Sequence, residues 1–160
     1  MPTRLPSFAR AVTAVLVLFV LLGSAGCTPK PTVAELDRKV FATSLGTFDR
    51  WLASAPERLD SAAARRRPWD VSTDLCSSAP DTGPVFDFRV PCIRHDFAWR
   101  NLRRLQARLG GSIDTRARRL DASRQFLRDM EATCAARPPV QRNACRGIAR
   151  AYFAAVSAVS

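Results

Sequence analysis

From residue 92 onward the chain is interrupted twice, by Gly110-Gly111 and by Pro138-Pro139. Glycine just past a periodic stretch ends a helix, because it enters the left-handed region without a Cβ clash. Proline breaks a helix by removing an amide donor and clashing with the preceding turn. The intervening apolar spacing predicts helices over 92–109, 114–135 and 140–157. In the first, Cys92, His95, Trp99, Leu102 and Leu109 share a face, and Arg94, Arg100, Arg103, Arg104 and Arg108 lie mostly away from it. The second carries Ala117, Leu120, Leu127, Met130 and Cys134 on a stripe; the third carries Ala144, Ile148, Ala151, Tyr152, Ala155 and Val159. Strand signals are scarce. The expectation is an all-α domain whose two long helices run antiparallel through the short glycine connection.

Upstream, Thr32 and Glu35 form a capping box, and Leu36, Val40, Phe48, Trp51 and Leu52 follow at helical spacing. They predict one helix, or two short ones broken near Gly46. The alanine and arginine run at 61–67 reads as a solvated helix end. From 69 to 91 the pattern is loop, with Pro80, Gly83, Pro84 and Pro91 among the acids Asp74, Asp81 and Asp87. A loop of that length in a small domain is usually functional.

The N-terminus reads as an export signal. Arg4 and Arg10 precede an uncharged apolar run at 11–22, and small residues follow it. The run is shorter than the ~20 residues a spanning helix needs. Residues 1–26 are therefore expected to be a signal peptide, 27–31 a tether and 32–160 the folded domain. Export permits disulfides, and the five cysteines leave one over. Ser24-Ala25-Gly26-Cys27 is similar to a bacterial lipobox, with Ser24 where leucine is usual. Lipidation of Cys27 would account for the odd cysteine and anchor the protein to the outer face of a membrane. Ordinary cleavage would leave a thiol and a secreted chain. Of the three pairings open to the other four, Cys76–Cys92 with Cys134–Cys145 is the local one. The net charge of +11 attracts anionic partners, whether phospholipid surfaces or nucleic acid. No nucleic-acid-binding signature is present, and export argues against that partner. No obligate protein partner is evident.

The residues that carry chemistry are few. His95 is the one histidine, and it sits in Cys92-Ile93-Arg94-His95-Asp96. Upstream, Ser72-Thr73-Asp74-Leu75-Cys76 sets another acid beside another cysteine. A bond between Cys76 and Cys92 would draw Asp74 and Asp96 together with His95 alongside. Neighbours on a helix point ~100° apart, so His95 and Asp96 serve different partners. Calcium suits Asp96, because it takes carboxylates and backbone carbonyls from a flexible loop, here Asp74 and the carbonyl of Leu75. Zinc is disfavoured with one histidine and cysteines better used in disulfides. A histidine base is best oriented by a carboxylate on its far nitrogen. Asp121, beside Leu120, is the expected partner, with Asp114 and Asp129 as alternatives, though Asp114 suits a helix cap. No nucleophilic serine or cysteine motif is present, so a water activated by His95 is the economical mechanism. An imidazole unperturbed near ~6.5 would make activity rise through neutral pH. The bland alternative is a helix histidine that merely fills a surface or core position.

At these residues the chain resembles the prokaryotic secreted phospholipase A2 family. The resemblance rests on Trp69-Asp70-Val71-Ser72-Thr73-Asp74-Leu75-Cys76 and on Cys92-Ile93-Arg94-His95-Asp96-Phe97 with Arg100-Asn101. It continues more weakly through Arg119-Leu120-Asp121 and Asp129-Met130, and spans roughly residues 51–156. It implies a small helical domain with a calcium-binding loop and the two local disulfides. It also implies calcium held by Asp74, Asp96 and the Leu75 carbonyl, His95 as base, Asp121 as its orienting acid, and a glycerophospholipid cleaved at its sn-2 ester. Trp99 stands where the family usually has tyrosine, and the connection through Gly110-Gly111 is a few residues longer than usual. A competing reading is a non-catalytic, surface-tethered lipid-binding module on the same scaffold. Such a module is expected to have lost the histidine, a metal carboxylate or the orienting acid, and this chain retains all three types.

Overall fold

Thr32 opens the first helix as expected. Its hydroxyl accepts from the Glu35 amide and the Glu35 carboxylate accepts from the Thr32 amide, at 3.2 and 3.1 Å. In the computed structural model, residues 30–54, 62, 65, 68–77 and 79–160 are described. The segment expected to be a signal peptide, 1–26, Cys27 and most of the 61–67 run lie outside them. Helix α1 (Val33–Asp37) runs directly into a π-helical turn, Arg38–Ala42. The chain then breaks at Thr43, and Ser44 caps α2 (Leu45–Ala53) by accepting from the Thr47 amide. The break thus falls just before Gly46, at a Ser cap that competes with helix continuation.

The loop after Trp69 contains the only regular extended structure among the described residues. This is a two-residue antiparallel hairpin, β1 (Thr82–Gly83) with β2 (Phe86–Asp87), pairing Thr82 with Asp87 and Gly83 with Phe86. Its strands are too short for any alternation to be seen in sequence. Three long helices follow: α3 (Arg89–Leu109), α4 (Arg116–Ala135) and α5 (Pro139–Ala158). Gly110 and Gly111 both lie at φ +75°, the conformation that favours glycine at this turn. Both local disulfides form, Cys76–Cys92 and Cys134–Cys145. The first ties the loop to α3, and the second joins the end of α4 to α5. All described residues but Lys30 belong to the unit Pro31–Ser160.

Helix α3 is shared by two apolar clusters. On one side, Phe97, Ile93, Ala98, Leu102 and Leu105 pack against Leu36, Val40, Phe48 and Leu52 of the N-terminal helices. Phe97 meets Phe48, Trp51 and Trp69 at ring separations of 5.5, 5.4 and 5.6 Å, the edge and tilted contacts aromatic rings prefer. On the other side, Cys92 joins Phe86, Phe88, Phe126, Met130, Cys134, Cys145 and Ala149.

Three details differ from the helical reading. Leu109 is exposed rather than inward, at the frayed end of α3. In α5 the fully buried positions are Cys145 and Ala149, one residue on from the expected stripe, because the disulfide sets the helix phase. Arg94, expected away from the apolar face, is buried at 1% exposure. Its guanidinium donates to the carbonyls of Val40 and Thr43 and faces Asp129 at 3.5 Å, which satisfies much of its charge internally.

Candidate active site

The loop is locked onto α3 by a chain of polar contacts. Asn101, buried on α3, donates to the carbonyls of Asp70 and Phe97, each at 2.8 Å, and accepts from the Asp70 amide at 2.9 Å. Asp70 in turn accepts from the amide and hydroxyl of Ser72, and Arg100 donates to the Ser72 hydroxyl at 3.1 Å. From α5, the Tyr152 hydroxyl donates to the Pro80 carbonyl at 2.6 Å. Leu75 and Ser77 are held at φ 60° and 54°, a region L-residues rarely enter unless their surroundings over-determine it. Here the Thr73 hydroxyl accepts from the Leu75 amide, Asp81 accepts from the Cys76 amide, and the disulfide closes the turn.

This turn brings Asp74 to Asp96. One Asp96 oxygen accepts from the Thr73 hydroxyl at 2.7 Å and from the Asp74 amide at 3.2 Å. Arg100 pairs with the Asp74 carboxylate and stands 3.6 Å from Asp96. Burial pushes Asp96 up to about 6; the Thr73 hydrogen bond opposes the rise and the neighbouring Asp74 carboxylate reinforces it. Asp74 is held below the usual carboxylate range although burial acts the other way. Hydrogen bonds with Asp96 and Ser77 and the Arg100 guanidinium outweigh that burial.

His95 lies on the next edge of α3, against the rings of Phe126 at 5.0 Å and Trp99 at 5.2 Å. Burial among them lowers its pKa to about 4, since nothing charged repays desolvation of the imidazolium. The unperturbed value expected from sequence is therefore corrected downward. Its Nε2 is 3.2 Å from the hydroxyl of Ser123, which is fully buried on α4.

Asp121 is not brought to His95. It is exposed and pairs with Arg124 at 2.9 Å. Two helix residues span ~200°, so if Ser123 faces α3, Asp121 faces solvent. The alternatives are engaged elsewhere: Asp114 pairs with Arg119, and Asp129 with Arg94 and Gln125. Ser123 was missed because sequence reasoning sought a carboxylate. Its spacing of three and seven residues from the buried Phe126 and Met130 was the available signal.

His95, Asp74, Leu75, Asp96, Trp99 and Arg100 line one cavity of about 630 Å³, closed on its far side by Tyr152, Val156 and Val159 of α5. The donor set suits a hard cation. It offers two neighbouring carboxylates, Asp96 raised to about 6 by burial and Asp74 held low, beside a turn of left-handed backbone. No group of three or more His, Cys, Asp or Glu side chains able to hold a metal occurs among the described residues. A cation here must complete its shell with backbone carbonyls and water.

Fold and site together define a disulfide-stapled helical domain with one half-buried histidine beside a paired-carboxylate loop. The chain belongs to the prokaryotic phospholipase A2 family, whose model, described as "Prokaryotic phospholipase A2", matches residues 36–160. A secretory phospholipase A2 of Arthroderma benhamiae (strain ATCC MYA-4681 / CBS 112371) is 38% identical over 72 residues. That match covers 45% of this chain and 43% of the relative, less than half the length of either.

Proposed function

We propose that this chain is an exported phospholipase A2 that hydrolyses the sn-2 ester of glycerophospholipids with calcium at Asp74, Asp96 and the Leu75 carbonyl. The observation that carries the reading is the shared cavity, which is lined by the half-buried His95 imidazole, two neighbouring carboxylates and the apolar side chains of α5. His95, neutral at working pH, takes a proton from water. The water oxygen bonds to the ester carbonyl carbon as the carbonyl π pair moves onto its oxygen. On collapse the bond from that carbon to the glycerol oxygen breaks, and His95 returns its proton to the departing oxygen, giving a lysophospholipid and a fatty acid. Calcium, when bound, supplies Lewis acidity toward the ester carbonyl oxygen and the phosphate. The α5 residues Val156 and Val159 offer an apolar wall for an acyl chain, and Arg103 at the rim offers charge for an anionic surface. Each well-placed arginine adds about 1 kcal/mol of attraction to such a surface. A signal peptide at 1–26 completes the proposal, leaving the enzyme tethered to the outer face of a membrane with Cys27 lipidated, or secreted with it unmodified.

The test is fatty-acid release from phospholipid micelles with calcium or with chelator, for the native chain and for Asp96→Asn. Release that requires calcium, and a calcium dependence moved at least tenfold higher in Asp96→Asn, are expected from losing one of two anionic ligands. Unchanged metal dependence in the variant would place the cation elsewhere. The neutral Ser123 partner of His95 favours one second reading, a non-catalytic lipid-binding module. No release from any common phospholipid, with both disulfides intact, would select it.

The pH profile is a further expected result. Burial lowers the His95 pKa to about 4, so the base form persists well below neutrality. Asp96, raised to about 6, gains a proton first as pH falls, and a protonated carboxylate is a poor calcium ligand. At low calcium the acid limb of the rate should lie near 6, and saturating calcium should move it toward 4. A limb fixed near ~6.5 at every calcium concentration would mean an unperturbed imidazole controls the rate.

A further inference from the structure

We infer that Ser123 is the positioning residue of His95 in this chain, a neutral hydroxyl that holds the imidazole in its Nε2–H tautomer. The inference rests on His95 being the base proposed above. Ser123 Oγ has one proton to give and two lone pairs to accept with. Three groups surround it: the Arg119 carbonyl at 3.1 Å, Ser160 Oγ at 3.0 Å and His95 Nε2 at 3.2 Å. Serine inside a helix characteristically donates to the carbonyl four residues back, and Arg119 stands at that position. Ser160 Oγ likewise donates to the carbonyl four residues back, Val156 at 2.9 Å, so the Ser123 proton goes to the Arg119 carbonyl or to Ser160 Oγ and a lone pair remains for His95. With that proton committed, the 3.2 Å contact is a hydrogen bond only if the ring proton sits on Nε2.

The consequence falls on the other nitrogen. Nδ1 has no hydrogen-bond partner among the described residues, and His95 lines the cavity. The Nε2–H tautomer makes Nδ1 the free lone pair that can receive a proton from water. Phe126 and Trp99, with ring centroids 5.0 and 5.2 Å away, restrict its rotation, so the hydroxyl has only to choose the tautomer. What the hydroxyl does not do is neutralise an imidazolium, because it carries no charge. The geometry therefore gives this chain half of what a carboxylate partner supplies: orientation without charge.

The experiment is 15N NMR of the histidine ring in the native chain, Ser123→Ala and Ser123→Asp, with kcat and KM measured beside it. The native ring should show the Nε2–H tautomer. In Ser123→Ala the tautomers should mix, and kcat should fall about tenfold with KM unchanged, the size of one neutral hydrogen bond. In Ser123→Asp the His95 pKa should rise by about one to three units, as an adjacent carboxylate requires, with the Nε2–H tautomer kept. A native Nδ1–H tautomer, or a ring whose tautomer ignores Ser123→Ala, would overturn the inference. Because the spectra need no turnover, they decide the role of Ser123 even for a chain that hydrolyses no phospholipid. Failure of the functional proposal is thus read separately, from the absence of fatty-acid release in the native protein.

Discussion

Replacing His95 by alanine should lower kcat for phospholipid hydrolysis by about 10²- to 10⁴-fold, the usual contribution of a positioned general base. The loss corresponds to roughly 3–5 kcal/mol of transition-state stabilisation. It should fall on kcat, because His95 is the one histidine in the sequence and no second imidazole can take its place. Arg100 and Arg103, the other nitrogen bases of the cavity, are guanidiniums that do not deprotonate. The fold should survive. Ser123 keeps its bonds to Arg119 and Ser160 when the imidazole is removed, and Cys76–Cys92 still ties the loop to α3. Calcium affinity, measured by titration calorimetry, should therefore stay within a factor of a few of the native value. Residual turnover within tenfold of native, in a folded and calcium-competent variant, would remove His95 from the role of base.

The second large effect is on stability. Arg94→Met should destabilise the domain by about 3–5 kcal/mol, the cost of leaving the partner of a buried ion pair alone. Arg94 is 1% exposed, donates to the carbonyls of Val40 and Thr43, faces Asp129 at 3.5 Å and lies over the Phe48 ring at 5.5 Å. It thus stitches α3 to the π-helical turn and to α4. Methionine fills part of the volume and satisfies none of those oxygens. The pH dependence distinguishes this cause from simple packing loss. Burial raises the Asp129 pKa, and Arg94 opposes the rise. Without Arg94 the folded value climbs further above that of the unfolded chain. A raised folded pKa contributes stability that is present below the unfolded value and lost as pH rises through the folded one. The deficit of Arg94→Met should therefore be largest at neutral pH and shrink near pH 4, as read from urea midpoints of the oxidised protein. Arg94→Met with Asp129→Leu should recover much of the loss. A deficit independent of pH and of residue 129 would mean that packing, not charge, is what Arg94 supplies.

Much of this architecture was readable from local chemistry. The capping box at Thr32, the glycine turn at Gly110-Gly111 and the proline break at Pro138-Pro139 each act over a few residues, and each stands where expected. The same holds for the pairing of Asp74 with Asp96, because Cys76–Cys92 brings their segments together. Asn101 was visible as part of a motif, but its two hydrogen bonds to Asp70 at the start of the loop were not. Asp70 lies 31 residues away in sequence, and only folding shows that the two meet.

What sequence alone determined about this protein is therefore its all-α class, its breaks, its local cysteine pairs and the set of residues able to do chemistry. Tertiary structure alone decided which side chains of α4 face α3. Helical phase changes by ~100° per residue, so an uncertainty of two positions turns an inward group outward. That is why Asp121 ends in solvent beside Arg124 and Ser123 ends on His95. The same long-range packing buried Arg94 and drew the His95 pKa down, since desolvation depends on neighbours that arrive from three different helices.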